Sequence, residues 1–233
     1  MQIPDAVRTL DRELTSMFGV RLKSLVAYRA DAGDDLAVST LAVVDGLTTD
    51  DLRGCADRVG TWHEAGLATP LLLGAHEFGR SLDAFPFEFG AIMAHHALVS
   101  GVDPFAGLGV DPAHLRQACE VQARGHLLHL REGFIETRGR GDALAELTTR
   151  SAAPLRALVE SVARLHGATD RGNATAAEVE RRAGLTSGSL ADVLTHTTGR
   201  PLSGEEARRI FPSYLAAVEQ LASYIDRWSA DAR

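Results

Sequence analysis

Val7, Leu10, Leu14, Met17 and Phe18 recur at three- and four-residue steps after Pro4-Asp5, and Gly19 stops the run. That period marks one apolar face of an α-helix. Ser24 to Tyr28 is a short apolar run, and Leu36 to Val44, rich in β-branched residues, is another, with the polar segment Asp31 to Asp35 between them. Both predict strands. Asp45-Gly46 ends the second, and a further helix is expected from Thr49 or Asp50, with Leu52, Ala56, Val59 and His63 on one face and Gly66 as its cap. Pro70 to Leu73 predicts a third strand. Between Glu77 and Ser100, Phe78, Leu82, Phe85, Phe87, Phe89, Ile92 and Met93 are core material that fits helix and strand templates equally, so the inner boundaries stay open.

From Asp111 the pattern is helical throughout. Asp111-Pro112, a cap followed by proline at the first helical position, opens a long helix to Arg138 that carries Leu115, Cys119, Leu127, Leu130 and Phe134. A turn at Gly139 to Gly141 leads into a second, Ala143 to His166, with Leu144, Leu147, Leu155, Leu158, Val162 and Leu165 inward and Pro154 expected to kink it. Thr175 and Glu178 have the spacing of a capping box for a shorter helix, and Ser203 and Glu206 repeat that spacing. The last helix then runs through Phe211, Leu215, Val218, Leu221, Ile225 and Trp228. The expected architecture is α+β: a small α/β domain over 1–110 and an all-α bundle over 111–233.

Composition narrows the function classes. Among 233 residues, 31 Asp plus Glu outnumber 24 Lys plus Arg for a net charge of −7, which argues against a nucleic-acid-coating surface. The balance of 45% hydrophobic and 24% charged residues is that of a globular chain. Cys55 and Cys119 are the two cysteines, too few for a disulfide framework and expected to be small buried hydrophobes. No cationic-then-apolar opening suggests a signal peptide and no apolar stretch approaches about 18 residues, so a cytoplasmic protein without a membrane span is expected.

The order helix, strand, polar turn, strand, helix, strand resembles nucleotidyltransferases of the polymerase-beta type. The resemblance rests on Leu25-Val26-Ala27-Tyr28-Arg29-Ala30-Asp31-Ala32-Gly33-Asp34-Asp35, on Phe85-Pro86-Phe87-Glu88-Phe89, on His95-His96-Ala97-Leu98-Val99-Ser100-Gly101-Val102-Asp103-Pro104-Phe105, and on the helical tail, which is similar to the bundle of bacterial members. It implies a small mixed sheet, a Gly-Ser pair that approaches nucleotide phosphates, and an Asp-x-Asp pair on the second strand. Strand alternation points such a pair to one face, where it holds magnesium, an ion that wants several oxygen ligands. Laid on this chain, the Gly-Ser positions are Arg29 and Ala30, and the two acid positions are Val38 and Thr40. No acid lies in Thr69 to Gly74, where a later strand should bring the third, and Glu88 is the nearest substitute.

The leading expectation is therefore a degenerate nucleotidyltransferase fold without catalytic residues, metal or cofactor. It would act by binding a nucleotide or other anion near Arg29, Ala30 and Thr40, or through a protein partner or self-association. One alternative is an active enzyme that modifies a small molecule or protein with magnesium held by Asp34, Asp35 and Glu88. Asp34 and Asp35 are otherwise ordinary turn residues. A second alternative is a partner protein of the toxin–antitoxin kind.

Other patterns weigh less. His126 and His129 share a helix face, and His95 and His96 are adjacent, but no further ligand stands at a signature interval, so structural roles are expected. Ala176 to Leu194 imitates a helix-turn-helix, yet its second helix, placed over 187–194, offers no Arg or Lys, and no DNA partner is expected. Arg124-Gly125-His126 is too closely spaced to match the Arg and His of HEPN-type ribonucleases, and Arg138-Gly139-Arg140 is expected to be a solvated turn.

Overall fold

The computed structural model describes residues 3–28, 37–168, 173–196 and 201–229. The chain divides into two compact units, Met1–Val110 and Asp111–Arg233.

The first unit is built on a four-stranded mixed sheet of order β3-β2-β1-β4, formed by β1 (Leu22–Tyr28), β2 (Ser39–Val44), β3 (Leu71–Gly74) and β4 (Ala97–Gly101). β1 pairs antiparallel with both β2 and β4, whereas β2 and β3 run parallel. A parallel pair needs a crossover, supplied here by α2 (Thr49–Ala56) and α3 (Val59–Glu64). Alternation sorts the central strands. Leu25, Ala27, Val38, Ala42 and Val44 pack with Val7, Leu10, Leu14 and Phe18 of α1 (Asp5–Phe18) and with Cys55, Trp62 and Leu67. Val26, Leu41 and Val43 pack on the other face with Phe78 and Leu82 of α4 (Ala75–Ala84), Phe89 and Ile92 of α5 (Pro86–His95), and Phe105. A sheet covered on both faces asks for apolar residues at every covered position, which is why 25–28 of β1 and 41–44 of β2 are unbroken hydrophobic runs.

The segment whose boundaries the sequence left open is helix, helix, strand: α4, α5 and β4. The expected single helix from Thr49 to Gly66 is instead broken at Asp57-Arg58 into α2 and α3. Its buried residues are Cys55 and Trp62, while Leu52 is exposed. The Trp62 indole N–H donates to Glu13 of α1 at 2.7 Å, which ties α3 to α1. Thr48 and Asp51 form an unforeseen capping box at the start of α2, and Arg21 grips Asp51 with two hydrogen bonds of 2.9 and 2.7 Å. That pairing holds the Asp51 carboxyl well below the usual carboxylate range.

In the second unit α6 (Pro112–Thr137), α7 (Gly141–Leu165) and α10 (Gly204–Arg227) pack on one another, with α8 (Asn173–Ala183) and α9 (Ala191–His196) against α7. Asp111 caps α6 through Ala113 N–H, and Ser203 and Glu206 make the expected reciprocal box at α10. α6 ends with Arg138 in the left-handed conformation, and Gly141 already belongs to α7. The Thr175–Glu178 pair does not cap α8: the helix has begun by Asn173, and Glu178 binds Arg181 and Arg182 instead. The anticipated helix over 187–194 starts only at Ala191, and Leu190, Val193 and Leu194 are buried in the unit's own core. Among the described residues, no helix is long and apolar enough to cross a membrane.

Candidate functional site

β2 is the strand on which the fold family would place its metal-binding acids. Val38 is 9% exposed and lies in the apolar cluster beneath α1, and alternation puts Thr40, 1% exposed, on the same face as Val38 and Ala42. Thr40 pairs across the sheet with Ala27, another member of that cluster. Its hydroxyl has no hydrogen-bond partner among the described residues. On the parallel neighbour, Val38 bridges Leu67, Ala68 N–H donates to the Val38 carbonyl, and Leu41 pairs with Leu71. The run from Leu67 to Gly74 contains no carboxylate. One neutral hydroxyl in an apolar setting does not make a magnesium site, which needs several hard oxygens; among the described residues, those at the expected positions do not fit the ion.

The remaining sequence candidates are dispersed. Arg29, Ala30, Asp34 and Asp35 lie outside the described residues. Glu88 is exposed in the first turn of α5, an element that covers the opposite face of the sheet from Thr40. Tyr28 faces that opposite side too, and burial pushes its hydroxyl up.

Two of the histidines are held by hydrogen bonds within the fold. His96 is held at Nδ1 by the Met93 carbonyl at 3.1 Å and at Nε2 by Asp103 at 3.2 Å, and its ring packs on Phe105. His126 and His129 diverge: His126 Nε2 meets the hydroxyl of buried Tyr214 at 2.6 Å, while His129 points outward to Glu132 at 3.5 Å. Burial, and secondarily the charge of His129, pushes His126 down to about 4. No group of three or more His, Cys, Asp or Glu suited to a metal occurs among the described residues. Cys55 and Cys119 are both buried and unpaired with each other, and burial pushes the Cys119 thiol up to about 12.

Sequence patterning missed several buried polar groups, Tyr214 and Glu180 among them. Tyr214 sits within the apolar stripe of α10 and Glu180, 2% exposed, next to Val179 on α8. The available signal in each case was a hydrogen-bonding side chain at a core position of an amphipathic helix.

No protein-family model and no curated protein sequence matches the chain. Among solved structures, it is similar to the crystal structure of spectinomycin adenyltransferase AAD(9) from Enterococcus faecialis with ATP and spectinomycin. The TM-score is 0.59 at 8% sequence identity, over 96% of this chain and 99% of that one. A small mixed sheet followed by a helical bundle, matched along nearly its whole length, gives this chain the fold of a nucleotidyltransferase.

Proposed function

We propose that this chain is a nucleotidyltransferase-fold binding protein that takes a nucleotide or another anion without metal and does not transfer a nucleotidyl group. The observation that carries the reading is the state of β2: Val38 and Thr40, at the two expected acid positions, are packed into the apolar cluster beneath α1. A metal supplies several kcal/mol of transition-state charge stabilisation in such chemistry. Binding does not depend on that term, so it survives the loss of the ligands. The structural similarity to a protein crystallised with ATP supports a nucleotide as the first ligand to try.

Calorimetry with ATP, with and without magnesium, tests the reading, combined with a pyrophosphate-release assay. The expected result is ATP binding that is insensitive to magnesium, with no pyrophosphate. Magnesium-dependent tight binding accompanied by pyrophosphate release, abolished in Asp34→Ala and Asp35→Ala, would establish the enzyme instead.

A further inference from the structure

A cleft of about 410 Å³ opens between α6 and α7 of the second unit, within the size range of small-molecule sites. Leu130, Leu147 and Leu158 give it apolar walls, and Gly125 leaves a bare stretch of α6 backbone with open space where a side chain would stand. Its polar groups are not arranged at random. Ser151 Oγ donates to the Thr148 carbonyl at 2.8 Å, and the Tyr214 hydroxyl donates to Ser151 Oγ at 3.0 Å. A hydroxyl has a single hydrogen. With its own hydrogen given to Ser151, Tyr214 can only accept from His126, across the 2.6 Å contact to Nε2. Taken in that direction, the relay puts the proton of the neutral imidazole on Nε2 and leaves Nδ1 a lone pair for which no described residue supplies a donor. Pro154, which lines the same wall, has no N–H to give the carbonyl of Arg150 one turn back. The Arg150 guanidinium, 71% exposed and 3.6 Å from Glu146, brings positive charge to the same cleft.

We propose that this cleft binds a small organic anion that carries an N–H or O–H donor besides its charged group, the donor going to His126 Nδ1 and the anion to Arg150. The apolar walls take the body of the ligand, His126 selects for a donor, and Arg150 selects for negative charge. The site lies wholly within the second unit and is independent of the nucleotide reading.

Calorimetry of the full chain with 4-hydroxybenzoate and with 4-aminophenyl phosphate tests it and separates carboxylate from phosphate. Saturable binding is expected, about tenfold weaker for benzoate, which lacks the donor, for 4-hydroxybenzyl alcohol, which lacks the charge, and in Arg150→Gln. The relay gives a sharper readout. Removing the Ser151 hydroxyl in Ser151→Ala frees the Tyr214 hydrogen for His126 Nε2, which moves the imidazole proton to Nδ1. Nitrogen-15 NMR of the histidine ring should then report the reversed tautomer, with weaker binding of 4-aminophenyl phosphate, whose aniline nitrogen donates but accepts poorly, and tighter binding of 4-acetylbenzoate, which offers an acceptor. Absence of saturable binding by both donor-bearing anions, unchanged affinity in Arg150→Gln, or an Nδ1–H tautomer in the unmodified protein would each overturn the proposal. Arg150→Gln is an exposed substitution and keeps the test decisive should Ser151→Ala unfold.

Discussion

The carboxylate of Glu180 accepts the backbone N–H of Leu190 at 2.7 Å, ten residues further along the chain. The same side chain also accepts from Ala191 at 3.0 Å and Gly188 at 2.9 Å. One buried carboxylate thus satisfies the turn after α8 and the start of α9, where orphan N–H groups and the helix dipole both favour negative charge. Glu180→Ala should cost about 2–4 kcal/mol, since it leaves three backbone donors without their acceptor. Glu180→Gln should also destabilise, because its amide nitrogen must face one of those donors. Urea unfolding midpoints for the two variants check this, and wild-type stability in both would show that water replaces the carboxylate.

Thr40 and Val38 make opposite predictions on one strand. Thr40→Val exchanges an unpartnered buried hydroxyl for a methyl of similar shape, so stability should hold or rise by up to about 1 kcal/mol. Val38→Asp puts a carboxylate into the cluster beneath α1 and should cost about 3 kcal/mol or more. Thermal melts with and without magnesium provide the measurement; a magnesium-dependent recovery of Val38→Asp would show that the strand can still host the ion.

Two glycines are fixed by close approach. Gly101 ends β4 at φ +79, and a Cβ there would collide with the Lys23 carbonyl of β1. At Gly204, the first residue of α10, a Cβ would sit 2.8 Å from the Gly141 carbonyl carbon at the start of α7. Alanine at either position should cost about 1–3 kcal/mol. Gly101→Ala should be the worse, because it adds the left-handed backbone penalty to the clash. Chemical denaturation ranks them.

His126 predicts an acid-sensitive second unit. Its folded-state value of about 4 lies below the unfolded histidine value of about 6.5. Between those two values the unfolded chain binds more protons than the folded one. The stability the neutral ring supports is therefore complete above about pH 6.5 and falls as the pH drops through 4, by about 3 kcal/mol in all. His126→Phe should flatten the dependence in that window. Unfolding free energies measured from pH 4 to 7 test it, and identical slopes in the two proteins would contradict it.

What the sequence disclosed and what it hid follow from the range of the interactions involved. Helix ends written in local chemistry were legible: Asp111-Pro112, Ser203 with Glu206, and the halt at Gly19 all operate within a few residues. The break between α2 and α3 was not, since no glycine or proline marks it, and the contact that ties α3 to α1, Trp62 to Glu13, spans 49 residues. Capping-box spacing at Thr175 misled for a related reason: Glu178 has two nearer arginines, and the helix begins upstream. In the candidate site, the lack of acids at Val38 and Thr40 is plain from the residue types, whereas their burial beneath α1 is visible only in the fold. The relay from Ser151 through Tyr214 to His126 joins three helices far apart in sequence, and no local pattern encodes it.

The two free cysteines fall one in each compact unit, Cys55 in the first and Cys119 in the second, both buried. Thiol-directed labelling therefore offers a separate clock for each half of the chain. Cys119, with no exposed surface and a thiol held protonated, should react only when the helical unit opens, while Cys55, 8% exposed beside α3, follows the sheet. Unequal labelling rates would mean that the two halves unfold as independent cooperative blocks, and a single shared rate that they open together.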